Sequence, residues 1–135
     1  DLFSGSGSIG IEALSRGARD VVFNDLSKDA VKVIKANLSK FKEDRRVYNL
    51  DYLSCLNRLE GNKFDYIFVD PPYAFEEYER IFETIDSLNL YNNDCRIIVE
   101  VKKEKELADK LFSFEKYKEK KYGISKLLYY RRKNV

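Results

Sequence analysis

Three apolar runs in this 135-residue chain each close on an aspartate, and that recurrence restricts the possible fold more than any other feature. Asp20-Val21-Val22-Phe23-Asn24 leads to Asp25, and Arg46-Val47-Tyr48-Asn49-Leu50 leads to Asp51. Phe64-Asp65-Tyr66-Ile67-Phe68-Val69 leads to Asp70, and the chain itself begins on a fourth acid, Asp1. Between the runs, apolar residues recur at helical spacing, as with Ala30, Val33, Ile34, Leu38 and Phe41 after Ser27, a face expected to pack on a sheet. Strands alternating with helices form a parallel sheet. The four aspartates therefore belong at the carboxyl ends of four successive strands, the place where open α/β sheets bind ligands. Each acid taken singly could instead cap the next helix or make a turn.

The first of these ends carries a glycine loop. Asp1-Leu2-Phe3-Ser4-Gly5-Ser6-Gly7-Ser8-Ile9-Gly10 contains G-x-G-x-x-G, and Ile11-Glu12-Ala13-Leu14 reads as the helix it opens. Glycines there permit a tight turn and close approach of the backbone to a ligand. Asp25 follows Gly5 by 20 residues, the spacing at which an acid meets ribose hydroxyls in nucleotide-binding folds. Charge narrows the nucleotide. An acidic crevice repels the pyrophosphate of a dinucleotide but suits the sulfonium and ammonium of S-adenosylmethionine. On this reading Asp1 and the glycine loop hold the methionine end, Asp25 the ribose and Asp51 the adenine amino group.

The fourth strand ends in Asp70-Pro71-Pro72-Tyr73. Two prolines fix the backbone and remove two donors, so a carboxylate, rigid carbonyls and an aromatic ring are presented together. Such a group suits a flat molecule bearing an amine. An exocyclic amine on a nucleobase is a poor nucleophile because its lone pair is delocalised into the ring. If Asp70 and the Pro71 carbonyl accept its two N–H bonds, the nitrogen moves toward tetrahedral geometry and the lone pair is freed, while Tyr73 stacks on the base. The alternative is a rigid loop after a strand and nothing more.

Together these residues resemble a known family. The run D-L-F-S-G-S-G-S-I-G-I-E-A-L-S-R-G-A, the Asn24-Asp25 ending of the second strand and F-D-Y-I-F-V-D-P-P-Y are similar to the bacterial methyltransferases that modify N2 of a guanine in small-subunit (16S) ribosomal RNA, the RsmD family. Tyr122-Gly123-Ile124-Ser125-Lys126-Leu127 is similar to that family's closing hairpin, so the resemblance covers almost the whole chain. It implies a Rossmann-like class I methyltransferase fold, a mostly parallel sheet of order 3-2-1-4-5-7-6 with an antiparallel last strand. It implies Asp70, Pro71, Pro72 and Tyr73 as the catalytic set. The cofactor set is Asp1, Phe3, Gly5, Gly7, Gly10, Asp25, Asp51 and Tyr52, with S-adenosylmethionine as cofactor. The implied partner is small-subunit rRNA or the assembling small subunit, met by a cytoplasmic monomer without metal. Ser27 stands where the family often has a second acid, and a serine there can cap the following helix. The chain starts at Asp1 without the apolar residues of a first strand, so residues 1–135 are expected to be one methyltransferase domain, incomplete at its N-terminus.

The rest of the sequence fits that scheme. Its length suits one domain, and 44% apolar residues supply a core. There is no run of 18 or more apolar residues and no signal peptide. Histidine is absent, so no histidine base can serve, and Cys55 and Cys95 lack metal-ligand spacing and read as packing residues. Tyr78, Ile81, Phe82 and Ile85 predict a helix after the proline loop, and Arg96 to Val101 a fifth strand. Leu107, Ala108, Leu111 and Phe112 suit another helix, and Lys116 to Tyr122 with Lys126 to Arg132 a hairpin turning at Gly123. Phe75 could wedge beside a flipped base or begin the apolar face of the next helix. Net charge is only +2, yet basic residues dominate from Lys116 onward. They suit RNA phosphates, or a solvated edge charged against strand pairing. Other readings stay open: a DNA adenine-N6 or cytosine-N4 methyltransferase sharing D-P-P-Y, a protein glutamine methyltransferase, which more often has Asn in place of Asp70, or a noncatalytic cofactor- or RNA-binding remnant.

Overall fold

The structure is a computed structural model that describes residues 1–133; Asn134 and Val135 lie outside the described residues. The chain divides into two compact units, Asp1–Cys55 and Leu56 onward.

In the first unit, helix α1 (Ser8–Ser15) precedes β1 (Phe23–Asn24), and α2 (Lys28–Lys40) leads to β2 (Val47–Tyr48). The two strands pair in parallel, Phe23 beside Val47 and Asn24 beside Tyr48. Asp1 extends this ladder on the other side of β1. Its backbone nitrogen donates to the Val22 carbonyl (3.0 Å) and its carbonyl accepts from Asn24 N–H (3.1 Å), the bond pair of a parallel bridge to Phe23. Ser27 caps α2, its side chain accepting from Ala30 N–H at 3.2 Å, as its position in the sequence suggested. The face α2 buries is narrower than the expected one. Val31, Ile34 and Leu38 are buried, with Ile34 and Leu38 packed with Phe23, whereas Val33 is 46% and Phe41 64% exposed. A single i, i+3, i+7 stripe meets the strands. Val33 sits away from that stripe and Phe41 only closes the helix.

Helix α3 (Tyr52–Arg58) ends the first unit and begins the second. The second unit is a five-stranded sheet of order β3-β4-β7-β6-β5: Phe64–Val69, Tyr91–Lys102, Ser125–Arg132, Phe114–Tyr122 and Lys110–Leu111. β3 and β4 are parallel, and β7 runs antiparallel between β4 and β6. The expected order of the fourth, fifth, seventh and sixth strands is thus present, as is the pairing of the second with the third. Helix α4 (Tyr78–Ser87) buries all four residues expected of it, Tyr78, Ile81, Phe82 and Ile85. Phe82 meets Tyr130 and Phe114 edge-on, with ring centroids 4.8 and 6.0 Å apart.

The helix expected around Leu107 to Phe112 does not form. Instead the Ala108 carbonyl accepts from the Tyr130 hydroxyl (2.7 Å), the Asp109 carbonyl accepts from Lys116 N–H, and Lys110–Leu111 pair with β6. Carbonyls committed to the hairpin cannot serve an i→i+4 ladder, and Phe112 adopts a left-handed φ of 56°. The segment is held by ions as well. Lys126, fully buried, reaches Glu106 at 3.1 Å and Glu119 at 3.3 Å, and Lys116 reaches Asp109 at 3.2 Å.

Candidate active site

The glycine loop folds around its own backbone. Ser4 donates its hydroxyl to the Asp1 carbonyl (2.7 Å), and Gly7 N–H donates to the Ser4 carbonyl (2.8 Å). Gly5 and Gly7 take positive φ values of 57° and 81°, the left-handed region that glycine alone enters without cost. Gly10 answers a different need. A Cβ there would overlap the Phe23 ring and lie 2.9 Å from Val21, so the absence of a side chain lets α1 press onto β1.

Asp25 is brought to this loop. One carboxylate oxygen accepts from Gly5 N–H (2.9 Å) and the other from Ser27 N–H (2.9 Å). Asp51 caps α3: Ser54 donates its amide to one oxygen at 2.9 Å and its hydroxyl to the other at 2.8 Å. Those two bonds hold the Asp51 carboxyl below the usual carboxylate range. Phe3 and Tyr52 lie together, ring centroids 6.3 Å apart and tilted by 33°. Asp1 differs from the other acids, because its Oδ2 is buried without a hydrogen-bond partner among the described residues. A buried carboxylate oxygen left so is costly and needs a donor, and an ammonium group is the strongest one available.

Asn24 organises all of this and escaped sequence reasoning, where it served only as part of a motif. It is buried; its side-chain amide donates to the Leu2 (3.1 Å) and Leu50 (2.9 Å) carbonyls, and its side-chain oxygen accepts from Leu50 N–H (3.1 Å). One side chain therefore pins the glycine loop to the approach to Asp51. An amide at the end of a short, buried strand was the available signal.

In the second unit, Asp70 leaves the end of β3 into a cavity of about 280 Å³ also lined by Pro71, Tyr73, Tyr78, Glu100 and Lys102. Pro71 is buried, while Pro72 and Tyr73 are exposed. The Pro72 carbonyl accepts from Phe75 N–H (3.0 Å), closing the turn, and the Lys102 ammonium lies 4.6 Å from the Tyr73 ring centroid. The Phe75 ring packs edge-on against Tyr78 at 5.1 Å, placing it on the apolar face of α4.

Asp70 itself makes no hydrogen bond or ion pair among the described residues. Burial first, and then the nearby Glu100 carboxylate, push its carboxyl from the ordinary 3.8 to about 6. The pairing of Val69 with Val99 explains the proximity: in parallel strands the next residues, Asp70 just past the end of β3 and Glu100 within β4, stand side by side. Glu100 is in turn engaged by the Tyr122 hydroxyl, which donates to its Oε1 at 2.6 Å. That bond, followed by burial, pushes the Tyr122 phenol to about 12. Glu100 and Tyr122 were missed as site residues; Glu100 lies within β4, which runs on to Lys102, so the pattern of an acid at a strand end did not mark it.

Cys55 and Cys95 are both buried, and burial raises the Cys95 thiol to about 12, which suits packing and not nucleophilic attack. Of the basic residues after Lys116, Lys126 is sealed inside its ion pairs, and Arg131 lies over the Tyr117 ring at 4.8 Å. No described helix is long and apolar enough to cross a membrane.

A family model described as Conserved hypothetical protein 95 matches residues 1–131. YlbH of Bacillus subtilis is 31% identical over 137 residues, 98% of this chain and 74% of its own length. Ribosomal RNA small subunit methyltransferase D of Haemophilus influenzae is 37% identical over 111 residues, 79% of this chain and 58% of its own. A solved conserved hypothetical protein of Streptococcus pyogenes matches with a TM-score of 0.93 and 31% identity, over 98% of this chain and 84% of that one. Solved structures named as methyltransferases share the architecture, which is the Rossmann-like class I methyltransferase fold.

Proposed function

The chain belongs to the family described as Conserved hypothetical protein 95, the family of the RsmD rRNA methyltransferases, and from that premise we propose that it transfers a methyl group from S-adenosylmethionine to the N2 amine of a guanine in small-subunit rRNA. The chain spans 58% of the Haemophilus relative whose name carries the small-subunit assignment, and residues 1–135 are taken to act as one methyltransferase domain in the cytoplasm. The observation that carries the reading is the Asp70 carboxylate, without a partner among the described residues, at the mouth of a proline-fixed turn and in one cavity with Tyr73.

The residues of the first unit suit the cofactor. The buried Asp1 Oδ2 would accept from its ammonium group, and the positive-φ glycines present backbone to its methionine end. Asp25, already tied to Gly5, would take the ribose hydroxyls, Asp51 the adenine amine, and Phe3 and Tyr52 its ring faces. When bound, S-adenosylmethionine supplies an electrophilic methyl group.

On the acceptor side, Asp70 and the Pro71 carbonyl accept the two N–H bonds of the amine, freeing its lone pair. Tyr73 stacks on the base, and Pro72 keeps the turn rigid. Catalysis is then mostly positioning, with reacting atoms about 3 to 3.5 Å apart. The methylated nitrogen is cationic and acidic, and a carboxylate titrating at about 6 takes its proton and returns it to water near neutral pH.

The test is incubation of the chain with methyl-labelled S-adenosylmethionine and unmodified small subunits, naked rRNA or DNA, followed by nucleoside analysis. Label in N2-methylguanosine is the expected result. Label in DNA bases would move the enzyme to another class, and cofactor binding without label in any substrate would overturn the catalytic reading.

A further inference from the structure

Glu76, Glu100 and Glu104 line the acceptor cavity with Asp70, and Glu100, which strand register sets beside Asp70, has no task in positioning the amine. We propose that Glu100 is the guanine-reading residue, accepting the ring N1–H beside the amine held by Asp70, with Tyr122 positioning it. The inference rests on the guanine-N2 reading and deepens it.

The argument starts from register. Val69 pairs with Val99, so Asp70 and Glu100 occupy the next positions of adjacent parallel strands, and both line the same cavity. Two acids side by side repel each other, and among the described residues neither is paired with a cation: the Lys102 ammonium lies over Tyr73, and Lys105 pairs with Glu76 at 2.7 Å. Among the described residues Glu100 receives one hydrogen bond, from Tyr122 to Oε1, which fixes the carboxylate and leaves Oε2 for another donor. The cavity thus offers acceptors from two adjacent strands, Asp70 with the Pro71 carbonyl just past the end of β3 and Glu100 within β4.

Guanine answers with donors in the same order. Its Watson–Crick edge carries N2–H and N1–H side by side, whereas adenine and cytosine place a ring-nitrogen lone pair beside their amine. A carboxylate facing that ring nitrogen bonds guanine and repels the other two bases. A site built around such a bond also rejects a base that lacks the hydrogen, because the base then covers Oε2 without giving it a donor.

The probe that isolates this contact is 2-aminopurine, which keeps the reacting N2 amine and has a lone pair at N1. Small-subunit rRNA is prepared with guanine or 2-aminopurine at the nucleotide the wild-type chain methylates, and kcat/KM is measured for both. The wild type is expected to prefer guanine by about 100-fold or more. Glu100→Gln, whose amide can donate to N1, is expected to narrow that ratio to within about tenfold, chiefly by losing activity on guanine, with cofactor binding unchanged. Tyr122→Phe leaves the carboxylate but frees its orientation, and should narrow the ratio partially. A guanine preference that survives in Glu100→Gln with cofactor binding intact overturns the proposal; should that variant fail to fold, an unchanged ratio in Tyr122→Phe does so. Absence of any guanine methylation by the wild type removes the functional reading beneath it, a failure visible before any variant is made.

Discussion

Replacing Asp70 by Asn should make the protein more stable while damaging it as an enzyme. The Asp70 carboxyl is pushed from 3.8 to about 6 by burial and by Glu100, so at neutral pH the folded state carries an ionised group it would rather hold neutral. A shift of about two pKa units corresponds to about 3 kcal/mol at about 1.4 kcal/mol per unit. Because the side chain is only partly buried, solvent screening reduces the expected effect to about half of that. Asp70→Asn keeps the shape and removes the charge, so a gain of about 1.5 kcal/mol, or about 5 °C in Tm, is expected at pH 7.5. The sign comes from proton binding. With a folded pKa above the unfolded one, the folded state binds the extra proton between pH 4 and 6, so wild-type stability from this group is gained as pH falls through that window and lost as pH rises through it. The difference between variant and wild type, tracked by thermal unfolding from pH 4 to 8, should therefore be largest above pH 7 and vanish near pH 4. A variant no more stable than wild type at pH 7.5, or a difference flat in pH, refutes the account of Asp70 as a strained, partnerless carboxylate.

Asp70→Ala should abolish methyl transfer and leave cofactor binding, measured by calorimetry, largely intact, whereas Asp25→Ala should weaken cofactor binding first, because Asp25 also holds Gly5 N–H. The rate of transfer at saturating substrate should rise with pH through about 6, where Asp70 becomes the acceptor form, and the Glu100→Gln variant should shift that limb downward by removing a like charge. Phe82→Ala, which empties a site between Tyr130 and Phe114, should cost about 3 to 5 kcal/mol in denaturant unfolding.

Much of the fold was legible because strand ends and helices announce themselves by pattern. The alternation of apolar runs located the strands, and Tyr78, Ile81, Phe82 and Ile85 named the buried face of α4 without error. The helix expected near Leu107 failed for a reason outside local sequence. Its carbonyls and charges are claimed by Tyr130, Lys116 and Lys126, residues later in the chain that reach it only through the hairpin. The face of α2 was misjudged by counting every apolar residue, when Phe23 and its neighbours accept only the stripe through Ile34 and Leu38. In the site, the 20-residue spacing assigned Gly5 and Asp25 to one cofactor, and the hydrogen bond that joins them directly was not foreseen. Glu100 was not, because its relation to Asp70 depends on the register between two strands and no spacing along the chain encodes it.

The acids at the strand ends do not all do one thing, and the difference lies in the residues just downstream of each. Three residues after Asp51 comes Ser54, which donates to both carboxylate oxygens and makes the acid a helix cap, with lone pairs left for an adenine amine. Asp25 has Ser27 two residues on and Gly5 facing it, so it ties a loop while keeping lone pairs for a ligand. After Asp70 come two prolines, which have no N–H to give, and the backbone donor of Phe75 further along the turn goes to Pro72. The chain thus withholds from Asp70 the local donors that satisfy its counterparts. A carboxylate denied caps by two prolines, set beside a second carboxylate by strand register and without a donor among the described residues, is stabilised by donors that arrive from outside the chain.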